Sequence, residues 1–184
     1  MGSSNPDIRN EVDESRGVLK KLQLLIPGFR GYRQLEDLRV ADALLRKQVS
    51  SYLENSLSKL QDFRSALATS GNYQYLTQVS SAVSRLQQFQ GELLHSEQGY
   101  SGISPAIRID IQKLNALYEY DYTFLQGASD MLRLSDMSSI DLSSQQEVSK
   151  RLSDLDAAVK TMKTAWEQRL LKVEDIKLNP GGGI

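Results

Sequence analysis

The stretch Ile26-Pro27-Gly28-Phe29-Arg30-Gly31-Tyr32 is the place where the chain interrupts a pattern of amphipathic helices and turns a corner. Pro27 lacks a backbone donor and disfavours helix at Ile26, so the preceding helix is predicted to end there. Gly28 and Gly31 permit positive φ, which lets the chain reverse within a few residues. The stretch therefore predicts a sharp turn between two helices.

Two interpretations of this corner are open from sequence. In the first, it is a turn between antiparallel helices, and Phe29 and Tyr32 pack back onto them. In the second, Arg30 and Arg33 stand with turn amides beside the N-terminus of the next helix, an arrangement suited to an anion or a partner. The first makes the corner structural, and the second makes it a binding site.

Apolar residues on either side of the corner recur at spacings of three and four, which predicts amphipathic helices. A short first helix is expected from Asn5-Pro6 to Ile26, and a second, roughly 55 Å long at 1.5 Å per residue, over Tyr32–Ser70. The apolar stripe of the second helix consists of Leu38, Ala41, Leu45, Val49, Tyr52, Ser56, Leu60, Phe63 and Leu67.

Three further helices are expected after the glycine at position 71. The third covers Leu76 to about Glu97, and the fourth begins at Ser104-Pro105 and runs through Leu132. The fifth begins at the capping-box spacing of Ser144 and Glu147. Its stripe is almost coiled-coil in spacing, which suits either its own bundle, the preferred interpretation, or an oligomer contact; it comprises Val148, Leu152, Leu155, Val159, Met162, Trp166, Leu170 and Val173.

These stripes predict an all-α fold, an elongated antiparallel bundle of about five helices, four of them long. The four prolines, at positions 6, 27, 105 and 180, all fall near predicted helix borders, and no segment alternates with the period of a strand. One domain is expected over residues 1–178, with a flexible glycine-rich tail over 179–184.

Composition excludes several classes of function. The chain has 184 residues, 24% charged residues and a formal net charge of −1, so no basic nucleic-acid-binding surface is indicated. It has no cysteine, no apolar run long enough to span a membrane and no signal-peptide pattern. We therefore expect a soluble, cytoplasmic protein with no nucleic-acid partner and no membrane insertion.

Metal binding and catalysis also find little support. Glu92 and His95 have the E-x-x-H spacing of half a di-iron site, but His95 is the single histidine of the chain. There is no cysteine, no G-x-S-x-G nucleophile motif and no phosphate-binding loop. No metal, no cofactor and no enzymatic activity are expected.

One carboxylate stands out, because Asp121 falls on the apolar stripe of the fourth helix. A buried carboxylate requires a partner, and Arg30, Arg33 or Arg39 could supply one. We expect the corner to pack close to Tyr100 and Asp121 for that reason. By contrast, the mixed charges of the second helix are typical of a solvated face; they are Arg33, Glu36, Asp37, Arg39, Asp42, Arg46 and Lys47.

Three patches together resemble the signature of an uncharacterised family of small bacterial helical proteins. The first, P-G-[YF]-R-G-Y-x-x-x-E-x-x-R-x-A-D-x-x-L-R, is matched by residues 27–46, with Phe29 where tyrosine is usual. Gly99-Tyr100-Ser101-Gly102 resembles the family's Y-G-Y-A-G, and residues 117–121 resemble its L-Y-E-[FY]-D. The family has no established activity. The resemblance implies a neighbourhood of flotillin-like membrane-scaffold proteins, and so a partner role.

We therefore predict a non-enzymatic interaction or scaffold protein with a protein partner, associated with a membrane at most peripherally through that partner. The alternative is a small-ligand or anion-binding protein with its site at the Pro27–Tyr32 corner. A polar pocket among the three patches would favour the alternative, and a packed turn with exposed apolar residues would favour a partner surface. The oligomeric state is left open. The candidate binding residues are Phe29, Arg30, Tyr32, Arg33, Tyr100, Tyr118 and Asp121.

Overall fold

Five α-helices and one short 3₁₀ turn make up the described part of the chain. The structure, a computed structural model, describes residues 8–31, 35–96 and 109–179, with side chains over 17–31, 37–96 and 109–179. The helices are α1 (Ile8–Leu25), α2 (Leu35–Thr69), α3 (Leu76–His95), α4 (Ile111–Leu134) and α5 (Gln145–Leu178), and the 3₁₀ turn is Tyr73–Tyr75. The predicted all-α helix bundle is confirmed.

Helices α2 to α5 form a four-helix bundle. α2 packs against α3 and α4, and α5 packs against the same two helices, so that α2 and α5 face each other across the diagonal. The helices run antiparallel within the pairs α2–α3 and α4–α5. In each pair a hydrogen bond joins residues well inside the two helices, on both sides of a short connection: Gln90 donates to Ser50, and Arg169 donates to Asp121. α1 lies outside this square and packs on α4.

The predicted stripes are the buried faces of the helices. Leu38, Leu45 and Leu67 of α2 are fully buried. Seven of the eight predicted stripe residues of α5 are buried and Leu170 is half-buried; the seven are Val148, Leu152, Leu155, Val159, Met162, Trp166 and Val173. Between α4 and α5, a side chain added at Gly127 would lie 3.2 Å from Cγ of Met162, so the small residue allows the two helices to approach closely. The stripe of α5 is therefore occupied within the chain.

Local signals define two of the helix ends. α2 ends in a Schellman motif: Gly71 has φ +77°, and the Asn72 amide donates to the Leu67 carbonyl at 2.9 Å. α5 begins at Ser144, whose hydroxyl oxygen accepts from the Glu147 amide at 3.3 Å, as the capping-box spacing predicted. Both ends satisfy backbone groups that a helix leaves unpaired.

The predicted start of the fourth helix needs correction. α4 begins at Ile111, because Asp110 is extended (φ −58°, ψ 136°) and its side chain accepts from the Gln112 amide at 2.6 Å. This aspartate is the N-cap, so the helix does not run on from Ser104-Pro105. Ser104, Pro105 and the tail residues 180–184 lie outside the described residues.

Over the described ranges, none of the helices combines the length and the apolar character that a bilayer crossing requires.

Candidate functional site

A cluster of four charged residues lies inside the bundle, contributed by α2, α4 and α5. Arg169 of α5 has no exposed surface and donates to Asp121 of α4 through Nε and to Asp42 of α2 through Nη1, each at 2.5 Å. Asp42 also accepts from Nε of Arg46 at 2.7 Å, one turn along α2. Both carboxylates are fully buried. One guanidinium therefore links three helices across the bundle diagonal.

Arg46 extends the cluster to α3, the remaining helix of the bundle. Its Nη1 donates to the Leu93 carbonyl at 2.7 Å and to the Ser96 carbonyl at 2.9 Å, and it also contacts the Ser96 hydroxyl. These carbonyls belong to the last turn of α3 and to its C-cap residue, where unpaired acceptors and the negative end of the helix dipole favour a cation. The same arginine thus neutralises Asp42 and caps α3.

Aromatic rings form the neighbouring layer of the core. The single tryptophan, Trp166, has the guanidinium carbons of Arg46 and Arg169 at 4.5 and 5.2 Å from its ring centre. The ring centre of Phe124 lies 5.3 Å from that of Trp166. Phe124 also meets Phe89 edge-on, with their ring centres 6.3 Å apart. The cation–π geometry gives both arginines a favourable apolar surface next to their carboxylates.

This arrangement makes the cluster a structural one. Buried charges must be paired and hydrogen-bonded, and such pairs fix how elements fit together more than they add net stability. Here the charged groups of α2, α4 and α5 engage one another directly, beneath the surface. We infer that the cluster fixes the relative register of the four bundle helices.

One prediction about these residues is wrong. Asp42 and Arg46 were predicted on a solvated face, but they are buried, because they follow Leu38 and Leu45 on the inner side of α2; Arg39 and Lys47 are exposed. A separate prediction gave Asp121 a partner among Arg30, Arg33 and Arg39.

Asp121 pairs with Arg169, and Arg30 and Arg39 are exposed. Arg33 lies outside the described residues, so a contact between Arg33 and Asp121 stays a prediction. A signal for Arg169 did exist, since it lies three residues after Trp166 and four before Val173, within the apolar stripe.

The corner is a packed turn. Gly28 and Gly31 have φ of +83° and +90°, and the Phe29 amide donates to the Ile26 carbonyl at 3.2 Å. Phe29 is buried, and a side chain at Gly31 would meet Oη of Tyr118 at 3.0 Å. At Gly31 the chain therefore lies directly against Tyr118 of α4.

Of the seven candidate residues, the described part of the chain contains four. It brings the Gly31 backbone onto Tyr118, one helical turn before Asp121, but it leaves Arg30 at the surface. Tyr32, Arg33 and Tyr100 lie outside the described side chains. Phe29, Tyr118 and Asp121 are buried, so Arg30 is the member of the described four that a partner could reach.

Several residues close to this corner in the sequence are exposed. Leu24 near the end of α1 is 78% exposed and Val40 on the first turns of α2 is 54% exposed, while Pro27 and Arg30 are exposed between them in sequence. Leu44 lies one turn after Val40 in α2, and its side chain approaches Gly28 in the turn that follows α1. We call Leu24, Pro27, Arg30, Val40 and Leu44 the corner surface.

In the Glu92–His95 half-motif, the Glu92 carboxylate takes part in hydrogen bonds within and between helices. Glu92 accepts hydrogen bonds from Lys163 of α5 and from Gln88, and the bond from Lys163 holds the pKa of Glu92 below its usual value. His95 is exposed on the last turn of α3. Within residues 17–31, 37–96 and 109–179, no three histidine, cysteine or acidic side chains are grouped as metal ligands.

No protein-family model, curated protein or solved structure matches this chain at a significant level. The resemblance of its three patches to the uncharacterised bacterial family stays a prediction.

Proposed function

We propose that this chain is a non-enzymatic helical interaction or scaffold protein that binds a protein partner through its corner surface. The observation that carries the proposal is the exposure of Leu24 and Val40 beside a turn that is itself tightly packed. Large apolar side chains left exposed near a rigid turn are candidates for contacts with a partner. We also propose that the protein is bacterial and cytoplasmic, that it does not bind nucleic acid and that it does not insert into a membrane.

The chemistry of the corner surface suits a protein partner. Apolar side chains of Leu24, Val40 and Leu44 would form the centre, and the exposed guanidinium of Arg30 adds a residue type that is enriched in interfaces. The packed backbone means that the surface is preorganised, so binding would not require the turn to be ordered first.

The rival proposal, a small-ligand or anion site at the corner, is less well supported. Such a site requires a concave space with convergent polar groups. At Gly31 the space against α4 is occupied by Tyr118 and Leu19, and Phe29 is directed into the core rather than into a pocket. We therefore favour a protein partner over a ligand.

The resemblance extends the proposal to a setting. If the chain belongs to the family that its patches resemble, it acts near flotillin-like membrane-scaffold proteins, and its own association with a membrane is peripheral and goes through its partner. Self-association is a separate matter: the coiled-coil-like stripe of α5 is buried in its own bundle, so a homo-oligomer would have to use another surface.

Affinity capture with matched variants tests this proposal. The double variant Leu24→Lys, Val40→Glu changes the corner surface, and the control Leu171→Lys, Tyr73→Glu changes two residues of similar exposure elsewhere. We expect the wild type and the control to capture the same protein from a host extract. The corner variant should bind it at least tenfold more weakly, since two apolar contacts are replaced by buried charges.

Circular dichroism of both variants verifies that the fold is retained. Equal capture by the corner variant and the control would contradict the assignment of the partner to this surface.

A further inference from the structure

A concave surface lies near the C-terminal end of α2, away from the corner. It is a cleft of about 410 Å³ between α2 and the connection from α4 to α5, lined by residues that include Lys59, Asp62, Phe63, Asp136, Met137 and Ile140. Phe63 follows Leu38 by 25 positions in α2, so the cleft is about 40 Å from the corner. Its volume falls in the range of small-molecule sites.

The walls of the cleft are built by helix periodicity and by a folded loop. Lys59, Asp62, Phe63 and Ala66 recur at helical spacing on one face of α2. The opposite wall is held in place because Met137 and Ile140 are buried and the Ile140 amide donates to the Met137 carbonyl at 3.2 Å. A preformed wall of this kind lowers the cost of ordering on binding.

The floor is apolar and the rim is charged. Phe63, Met137 and Ile140 form the buried floor. On the rim, the Lys59 ammonium lies 2.7 Å from the Asp136 carboxylate, which also accepts from the amide and hydroxyl of Ser138. The hydrogen bonds from Lys59 and then from Ser138 hold the pKa of Asp136 well below its usual range, so this pair stays ionised at neutral pH.

The charges of the rim do not cancel. Lys59 supplies one positive charge, and Asp62 and Asp136 supply two negative ones, so the lining carries a net charge of one minus two, or −1. Lys59 donates a hydrogen bond to Asp136. The side chain of Asp62, one turn further along α2, is exposed to solvent. An apolar floor below an available carboxylate is complementary to a ligand with an apolar body and a cationic head.

We propose that this cleft binds a small amphipathic molecule with an aliphatic or aromatic body and a single ammonium group. The body lies on Phe63, Met137 and Ile140, and the ammonium pairs with Asp62. This site is independent of the corner surface and of the partner proposed there.

Methionine-methyl NMR of the full chain tests the site with octylammonium chloride as the probe. The chain has four methionines, of which Met137 lines the cleft and Met162 lies in the core against Gly127 as an internal reference. We expect a saturable shift of the Met137 methyl with little change at Met162. 1-Octanol and octanoate, which lack the cationic head, should bind at least about threefold more weakly.

Two variants separate the charge from the cavity. Asp62→Asn should raise the Kd for octylammonium about threefold to fivefold and leave that for 1-octanol unchanged, because an exposed ion pair is worth at most about that factor. Asp130→Asn, at another exposed aspartate, is the matched control and should have no effect. Ala66→Trp should fill the cleft and abolish the shift with every probe.

A Met137 shift that does not saturate, or that persists in Ala66→Trp, would overturn the site. Octanoate binding as tightly as octylammonium, or an unchanged affinity in Asp62→Asn, would overturn the assignment of a cationic ligand.

Discussion

Replacement of Arg169 by methionine is expected to lower the free energy of unfolding by about 3–5 kcal/mol. The change removes the guanidinium that joins Asp42 of α2 to Asp121 of α4, and it leaves both carboxylates inside the bundle with less compensation. Removal of one partner from a buried ion pair lowers stability strongly, because the other charge is left buried without compensation. Replacement of the whole pair by apolar residues has a much smaller effect. Urea denaturation followed by circular dichroism measures the loss.

The matched control is Arg133→Met. Arg133 pairs with Asp130 on α4, but both side chains are mostly exposed, so the control should change the free energy of unfolding by less than about 0.5 kcal/mol. If Arg169→Met were as mild as the control, the buried cluster would not be holding the helices together.

Truncation of Trp166 to alanine is expected to cost about 3–5 kcal/mol of unfolding free energy. The ring is buried, it lies beside Phe124, and it offers its faces to the guanidinium groups of Arg46 and Arg169. The variant therefore combines a large core cavity with the loss of two cation–π contacts. The measurement is again urea denaturation by circular dichroism, because the variant has no tryptophan to report by fluorescence.

Tyr73→Ala provides the comparison for Trp166→Ala, because Tyr73 is an aromatic residue of the 3₁₀ turn whose side chain is largely exposed. Its effect should stay within about 0.5 kcal/mol. Similar losses in the two variants would show that the layer around Trp166 is not a packed part of the core.

The sequence predicts the helices of this protein well because their signals are local. Stripes with a helical period, a proline and two glycines at the corner and the Ser144 cap are each decided within a few residues of chain. The structure bears out the helical bundle and the capping of α5. The start of α4 was wrong because Asp110, a cap residue without a following proline, was a less conspicuous signal than Ser104-Pro105.

The buried charges could not be predicted in the same way. The burial of Asp42 depends on α5 lying across the bundle diagonal from α2, which no local pattern specifies. Charged residues on a helix are most often solvated, so Arg46 and Arg169 were given a surface role or none. For Asp121 the need for a partner was evident from its place on the stripe, but the choice among the arginines was a matter of tertiary structure.

At the corner, sequence and structure meet more closely. The glycines adopt the positive φ that the turn requires, and the Gly31 backbone lies on Tyr118, next to the patch that was expected to contact the corner. The exposure of Val40 agrees with its position off the apolar stripe of α2.

A double-mutant cycle between Asp121 and Arg169 tests most directly whether the buried carboxylate is structural. Asp121→Asn and Arg169→Met, made singly and together, should show a coupling energy of about 1.5–3 kcal/mol, the range for hydrogen bonds to charged groups. The parallel cycle of Asp121→Asn with Arg30→Gln should be additive within about 0.5 kcal/mol, because Arg30 is exposed at the corner. Additive losses in the first cycle and coupling in the second would contradict this account and return Asp121 to a site at the corner.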